Sequence, residues 1–336
     1  MEEQDNQQLP LVSIVIPVYN QEERFLRESI ESAIAQTYPY TEIIISDNHS
    51  TNGTAGIIAG YAQKDKRIRI IKPGTFLPMI ENFIFAYSHV RGQYICPLSS
   101  DDILFPAMIE EHLKPFDIYR ELSFSYSIPL YFVTEINTAR WRPGKMTTGF
   151  CTSEQFLEIY INRRQPSWGG ILFKTEYYQK SGGFSKEYSY AGDIDMIIKL
   201  ILQNGGVYGI NRKLSAIRQW QRADYINRIP DAISGFAKIL DDLEDNALRN
   251  KISLSTRVTK RAKKAVFAME VFPLAYFIQF KKRAPEVVEK TVAIINENYP
   301  KGLYHFITRN RKNIVGLFFS FGYLFFLKVK KIFKHG

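Results

Sequence analysis

The sequence predicts an α/β fold, a mostly parallel sheet flanked by helices, with an α-helical C-terminal extension. Two observations carry that expectation. Apolar runs alternate with segments of helical spacing through the first hundred residues, and each run ends in polar or acidic residues, the pattern of strands joined by right-handed helical crossovers. After residue 225 the composition shifts to helix formers and basic residues.

Residues 11–18, LVSIVIPV, are continuously apolar and end in Tyr19 and Asn20, as a parallel strand buried on both faces would. Residues 22–36 place Phe25, Ile30, Ala33 and Ile34 near helical spacing. A second run, residues 41–46, ends in Asp47, Asn48, His49 and Ser50, and Gly53 opens an amphipathic segment to residue 64. Residues 68–71 form a third short strand, residues 77–90 a helix and residues 93–98 a fourth strand. Tyr19 with Asn20, Asp47 with Asn48, and Asp101 with Asp102 thus cap three strands and converge on one sheet edge, where open α/β sheets hold their ligands. No glycine-rich dinucleotide fingerprint or P-loop follows any of them, so phosphates require a metal or basic side chains.

The stretch YICPLSSDDILFP at residues 94–106 is the centre of this plan. Two carboxylates side by side repel each other, and a site that keeps both supplies a cation or a polar ligand. Asp and Ser also serve as turn and cap residues, so the pair alone leaves both readings open.

Beyond residue 122 the pattern loosens. Residues 124–133 are rich in Tyr, Phe and Ser and suggest strands outside the main parallel set. Residues 153–160 suit a helix, and residues 167–174, SWGGILFK, suit a strand whose glycines admit a ligand or another backbone. Asp193 and Asp195 open an apolar-periodic helix, where a carboxylate either stabilises the free N–H groups or takes a proton from a substrate hydroxyl.

With 336 residues, 45% of them apolar and 23% charged, the chain is globular. Its polar, acidic opening predicts no secretory leader, and Cys96 and Cys151 are too few for a disulfide framework, which suits a reducing cytoplasm. Net charge is +10, yet residues 251–336 carry 18 Lys or Arg against 4 Glu, or +14, leaving −4 for residues 1–250. That balance argues against a nucleic-acid groove on the main domain.

The order of these motifs resembles family 2 glycosyltransferases, whose nucleotide-sugar fold is called GT-A. The resemblance rests on Pro17, Val18, Tyr19 and Asn20; on SDNHSTNGT at residues 46–54; on Asn82 followed by Gly92 to Ile95 and LSSDD; and on Gly182, Gly183 and Phe184 followed by GDID at residues 192–195. It implies a nucleotide-sugar pocket of Pro17, Tyr19, Asn20, Glu22, Asp47, Asn82, Ser100 and Asp101, with Tyr19 against the base. It implies Mg²⁺ or Mn²⁺ on Asp101 and Asp102, neutralising the departing diphosphate. Asp193 matches the general base by position, with Asp195 as the alternative, and single displacement inverts configuration. Trp168, Gly169, Gly170 and Trp220 would face the acceptor, the tryptophans equally suited to core filling. Ser99 stands where the metal motif has its first acid, Asn48 where the second strand end has its second acid, His49 where glycine is usual and Gly192 where Glu is common. Arg218, Gln219 and Trp220 lack the QxxRW spacing of processive synthases, so an enzyme adding one sugar per encounter is expected.

The expected organisation is a tail at residues 1–10, a catalytic domain at 11–225 with nucleotide (11–105) and acceptor (106–225) halves, and a basic helical region at 226–336. Residues 314–327, IVGLFFSFGYLFFL, are 14 apolar residues followed by KVKKIFK, short of the roughly 20 needed to span a bilayer. They suit a helix lying in the membrane interface. The expected partners are a nucleotide-sugar, probed first as a UDP-sugar; a glycan or lipid-linked acceptor; and the inner face of the cytoplasmic membrane. No nucleic-acid partner is expected, and a homo-oligomer is left open.

Overall fold

The computed structural model describes residues 9–139, 147–163, 166–219 and scattered positions between 231 and 243. Strands β1 (Val12–Val18), β2 (Thr41–Asp47), β3 (Ile68–Ile71) and β4 (Tyr94–Pro97) alternate with helices α1 (Glu23–Ile34), α2 (Thr54–Lys64) and α3 (Met79–Tyr87). All four strands run parallel, in the order β3-β2-β1-β4. Every residue of β1 and β2 is buried, which is why their centres, residues 14–16 and 43–45, are unbroken apolar runs. Pro17 sits inside β1, but pairing with β4 stops at Val15, so its missing N–H interrupts no ladder.

The sheet continues through β9 (Ile171–Lys174), β6 (Phe124–Ser127), β10 (Val207–Ile210) and β8 (Gly149–Cys151), of which β9 and β8 run antiparallel to their neighbours. A second small sheet joins β5 (Ile103–Leu104), β11 (Ser215–Arg218) and β7 (Leu130–Phe132). Helices α4 (Met108–Ile118), α5 (Ser153–Arg163), α6 (Thr175–Lys180) and α7 (Gly192–Ile201) complete the described part. Two apolar cores separate the layers. One holds Val15, Ile44, Ile95 and Phe173 with residues of α3, α5 and α7; the other holds Ile14, Ile16, Ile43 and Leu172 with residues of α1, α2 and α4.

Two expectations are corrected. Phe124–Ser127 belongs to the main sheet, parallel to β10, rather than outside it. Its serines misled because they are buried: His112 on α4 holds Ser125 Oγ 3.0 Å from Nδ1 and Ser127 Oγ 3.1 Å from Nε2. Burial, against the smaller opposing effects of Ser125 and the Glu111 charge, pushes this imidazole down to about 3. Residues 167–174 are not one strand, since Trp168–Gly170 form a 3₁₀ turn before β9 begins. No helix among the described residues is long and apolar enough to cross a membrane. The expected tail at 1–10 lies outside the described residues apart from Leu9 and Pro10, and the basic region at 226–336 apart from a few positions.

Candidate active site

The carboxyl ends of β1, β2 and β4 are tied together by side chains from their loops. Asn20, at φ 47°, turns the chain out of β1; Asn is among the few residues that tolerate this backbone region. Its N–H donates to Ser50 Oγ at 2.9 Å, and its Oδ1 accepts the Thr51 N–H at 2.7 Å. Asn20 therefore clips the β1 and β2 loops together. Asp47 is buried and accepts the Ser50 N–H at 3.0 Å. Tyr19 is 49% exposed and meets the edge of Phe76, itself 55% exposed, with ring centroids 5.0 Å apart. Two exposed aromatic rings in contact at a sheet edge form a surface suited to a flat ring. Phe76 carried no signal in the sequence.

The departures at Asn48 and His49 have a structural use. Asn48 Nδ2 donates to the Leu77 carbonyl at 2.8 Å while its Oδ1 accepts the Leu77 N–H at 2.9 Å. His49, at φ 57°, donates from Nε2 to the Pro73 carbonyl at 2.8 Å. Together they fasten the loop that carries Phe76. The left-handed backbone at 49 explains why glycine suits that position.

Following β4, Ser100 Oγ donates to Gln21 Oε1 at 3.0 Å, joining this turn to the β1 loop. Asp101 and Asp102 then part company. Asp101 is half-buried, whereas Asp102 is 6% exposed. Asp102 Oδ1 accepts the Arg218 N–H at 2.8 Å, and its Oδ2 lies against Gly169, 3.4 Å from where a Cβ there would stand. Burial first, then the charge of Asp101, raises the Asp102 carboxyl well above the usual range against the pull of Arg218 and Ser99. These contacts make Asp102 a brace between the acidic turn and β11.

The same division recurs at α7. Asp195 is 2% exposed and ion-paired with Lys199 Nζ at 2.8 Å. Lys199 also donates to the Gly183 carbonyl at 2.8 Å, so this pair pins the glycine loop, where Gly182 and Gly183 adopt φ 78° and 68°. Burial raises the Asp195 carboxyl in spite of Lys199, as expected when desolvation outweighs a partner's attraction. Asp193 is exposed, and its Oδ1 accepts the Ile194 N–H at 2.9 Å. Desolvation raises its carboxyl as well. A Cβ at Gly192 would stand 2.5 Å from Ile80 Cδ1, so the first turn of α7 packs closely against the start of α3.

The other expected residues divide in the same way. Asn82 is buried and its Oδ1 accepts from Ser46 Oγ at 2.7 Å, a support beneath β2. Glu22 is exposed at the N-cap of α1, without a side-chain cap bond. Trp168 is 8% exposed and packed against Tyr87, Phe173 and Phe184, leaving no face for stacking on a sugar. Gly170 is required by a neighbouring backbone, since a Cβ would stand 2.6 Å from the Ser127 carbonyl oxygen. Trp220 lies outside the described residues.

No cluster of three His, Cys, Asp or Glu occurs among the described residues. A cation cage built by protein alone is thus absent from them. One half-buried carboxylate, Asp101, beside a buried brace still fits Mg²⁺ or Mn²⁺, hard cations that take one or two carboxylates and complete their shell with substrate phosphates and water.

Comparison with known proteins agrees with this geometry. The model of the family described as Glycosyl transferase family 2 matches residues 13–181. An uncharacterised glycosyltransferase of Methanocaldococcus jannaschii is 39% identical over 127 residues, 38% of this chain and 43% of that protein. The chain spans about half the length of the curated relatives it matches. Mannosyltransferase PcManGT from Pyrobaculum calidifontis, solved in complex with GDP-Man and Mn²⁺, shares the fold with a TM-score of 0.56 at 13% identity, over 98% of this chain and 89% of that one. S. aureus TarS 1–349 in complex with UDP-GlcNAc does so with a TM-score of 0.53 at 14% identity, over 87% of this chain and 93% of that one. At these identities the likeness establishes a GT-A architecture. With half of its length matched by the family model, the chain belongs to glycosyl transferase family 2.

Proposed function

We propose that this protein is an inverting transferase that moves a sugar from a nucleotide-sugar, a UDP-sugar first among the candidates, to a hydroxyl of a glycan or lipid-linked acceptor. The observation that carries this reading is the paired division of carboxylates: Asp102 and Asp195 are buried and bonded, while Asp101 and Asp193 stand further out beside them. In this reading Tyr19 and Phe76 receive the base, and Asp47 with the Asn20 clip forms the ribose wall. Asp101 holds Mg²⁺ or Mn²⁺, which when bound offsets charge on the leaving diphosphate. Asp193, not Asp195, takes the acceptor proton: a base must reach its substrate, and a raised carboxyl holds a proton more firmly than an ordinary one. The GDP-Man and UDP-GlcNAc in the two solved transferases support a nucleotide-sugar donor.

The test is thermal stabilisation by a panel of nucleotide-sugars with and without Mn²⁺. One donor should stabilise the wild type in a Mn²⁺-dependent way, and Asp101→Asn should lose that dependence. Absence of stabilisation by every donor refutes the reading. The basic, apolar composition of residues 251–336 supports a site of action on the cytoplasmic membrane face. Flotation with anionic vesicles should carry the full chain and leave a chain ending at residue 250 behind.

A further inference from the structure

Arg218 is the last residue of β11, and its side chain is 1% exposed. Buried arginines demand partners for five N–H groups in a fixed fork. Here three segments supply four acceptors. Nε donates to the Asp101 carbonyl at 3.1 Å; Nη1 donates to the carbonyls of Val133 at 3.2 Å and Thr134 at 2.8 Å; Nη2 donates to Glu28 Oε2. The backbone N–H of the same residue holds Asp102 Oδ1 at 2.8 Å. The guanidinium lies between two aromatic faces, 3.7 Å from the Phe25 ring centroid and 4.3 Å from that of Phe132.

One residue thereby grips both members of the acidic turn, one through its main-chain oxygen and the other through its carboxylate. It ties them to α1 and to the chain after β7. The anchor reaches the surface, since Glu28 Oε1 is also bound by Arg24 Nε at 2.9 Å, and Arg24 Nη2 reaches Glu135 Oε2 at 2.8 Å.

We propose that Arg218 is a positioning residue for cation binding: it fixes the backbone of Asp101 so that this single carboxylate is presented ready for Mg²⁺ or Mn²⁺. The inference rests on the reading of Asp101 as the cation ligand. Pre-organisation matters most in a site with one protein carboxylate, because no second anionic ligand compensates a poorly aimed first. Lysine at 218 would keep the charge but lose the fork, so it should weaken cation binding without abolishing the fold.

The experiment titrates Mn²⁺ against the full-length protein at a saturating concentration of whichever nucleotide-sugar stabilises it, reading the Mn²⁺ midpoint by thermal shift and by quenching of tryptophan fluorescence. Arg218→Lys should raise the midpoint by about tenfold or more, the usual scale for supports behind a metal ligand. Glu28→Gln, a milder change that also covers the case in which Arg218→Lys does not fold, should raise it in the same direction by a smaller factor. Unchanged midpoints in the folded variants, with only a lower melting temperature, overturn the inference and leave the Asp101 reading intact. A wild type whose donor binding ignores Mn²⁺ refutes both, so the two failures are told apart.

Discussion

The Asp101–Asp102 turn and the first turn of α7 lie far apart in sequence and have different backbones, yet both contain two carboxylates treated in opposite ways. In each, one carboxylate is sunk into the protein and bonded, Asp102 to Arg218 and Asp195 to Lys199. Its neighbour remains nearer solvent. The difference teaches that an acidic cluster in a sequence is not a set of equivalent ligands. Desolvation is costly for a carboxylate, and in each pair the buried member is the one held by the fold, while the proposed chemistry rests on the outer one.

The largest expected effect comes from breaking the outer member at α7. Asp193→Asn should lower transfer by about 10²- to 10⁴-fold with donor affinity unchanged, the range lost with a general base. Equal loss in Asp195→Asn, with the fold intact, would erase the distinction. In the wild type the acid limb of the rate should lie above the ordinary carboxylate range, since the Asp193 carboxyl is raised.

Next in size is the buried pair. Asp195→Ala strips Lys199 of its partner and should cost about 3 kcal/mol in urea unfolding. Asp193→Ala should change stability by less than about 1 kcal/mol, as surface substitutions do. Similar values for both would sink the proposed division.

A pH series extends the comparison to a buried group that builds without any charge. The folded protein keeps His112 neutral down to about 3, whereas the unfolded chain protonates near pH 6.5. Its contribution is therefore present above that point and lost as pH falls through the window between. From pH 7 to pH 5 this residue should remove about 2 kcal/mol of stability. The raised carboxylates act in the opposite sense, so the measurement is the difference between wild type and His112→Gln, whose stability should change less over that range.

The smallest effect concerns Asp102. Asp102→Ala leaves the Arg218 N–H without its acceptor and should cost about 1–3 kcal/mol. Because the group is a brace, Asp102→Asn, which keeps an acceptor oxygen, should recover most of that loss in the same unfolding assay.

The first four strands were legible in the sequence to within two residues at each end, because each has an apolar centre that polar or acidic residues close. The motif order indicated the fold and the strand ends that meet. Division of labour within each acidic pair was not legible, since Asp101 and Asp102 differ only in what lies above them. Arg218 finds Glu28 across 190 positions and Asp101 across 117, beyond the reach of any local pattern. The serines of β6 made residues 124–133 read as strands outside the main parallel set, because nothing adjacent in sequence announces His112 as their partner. Trp168 was ambiguous for a simpler reason: the same large ring suits a core or a sugar face.

The contact between Gly192 and Ile80 has an evolutionary corollary. Positions 80 and 192 share one small volume, so their side-chain sizes are constrained jointly: a relative with a larger residue at 192 must shed bulk at 80 or swing that residue aside. Related sequences should accordingly show the two sites exchanging volume, large against small, even where neither touches a substrate.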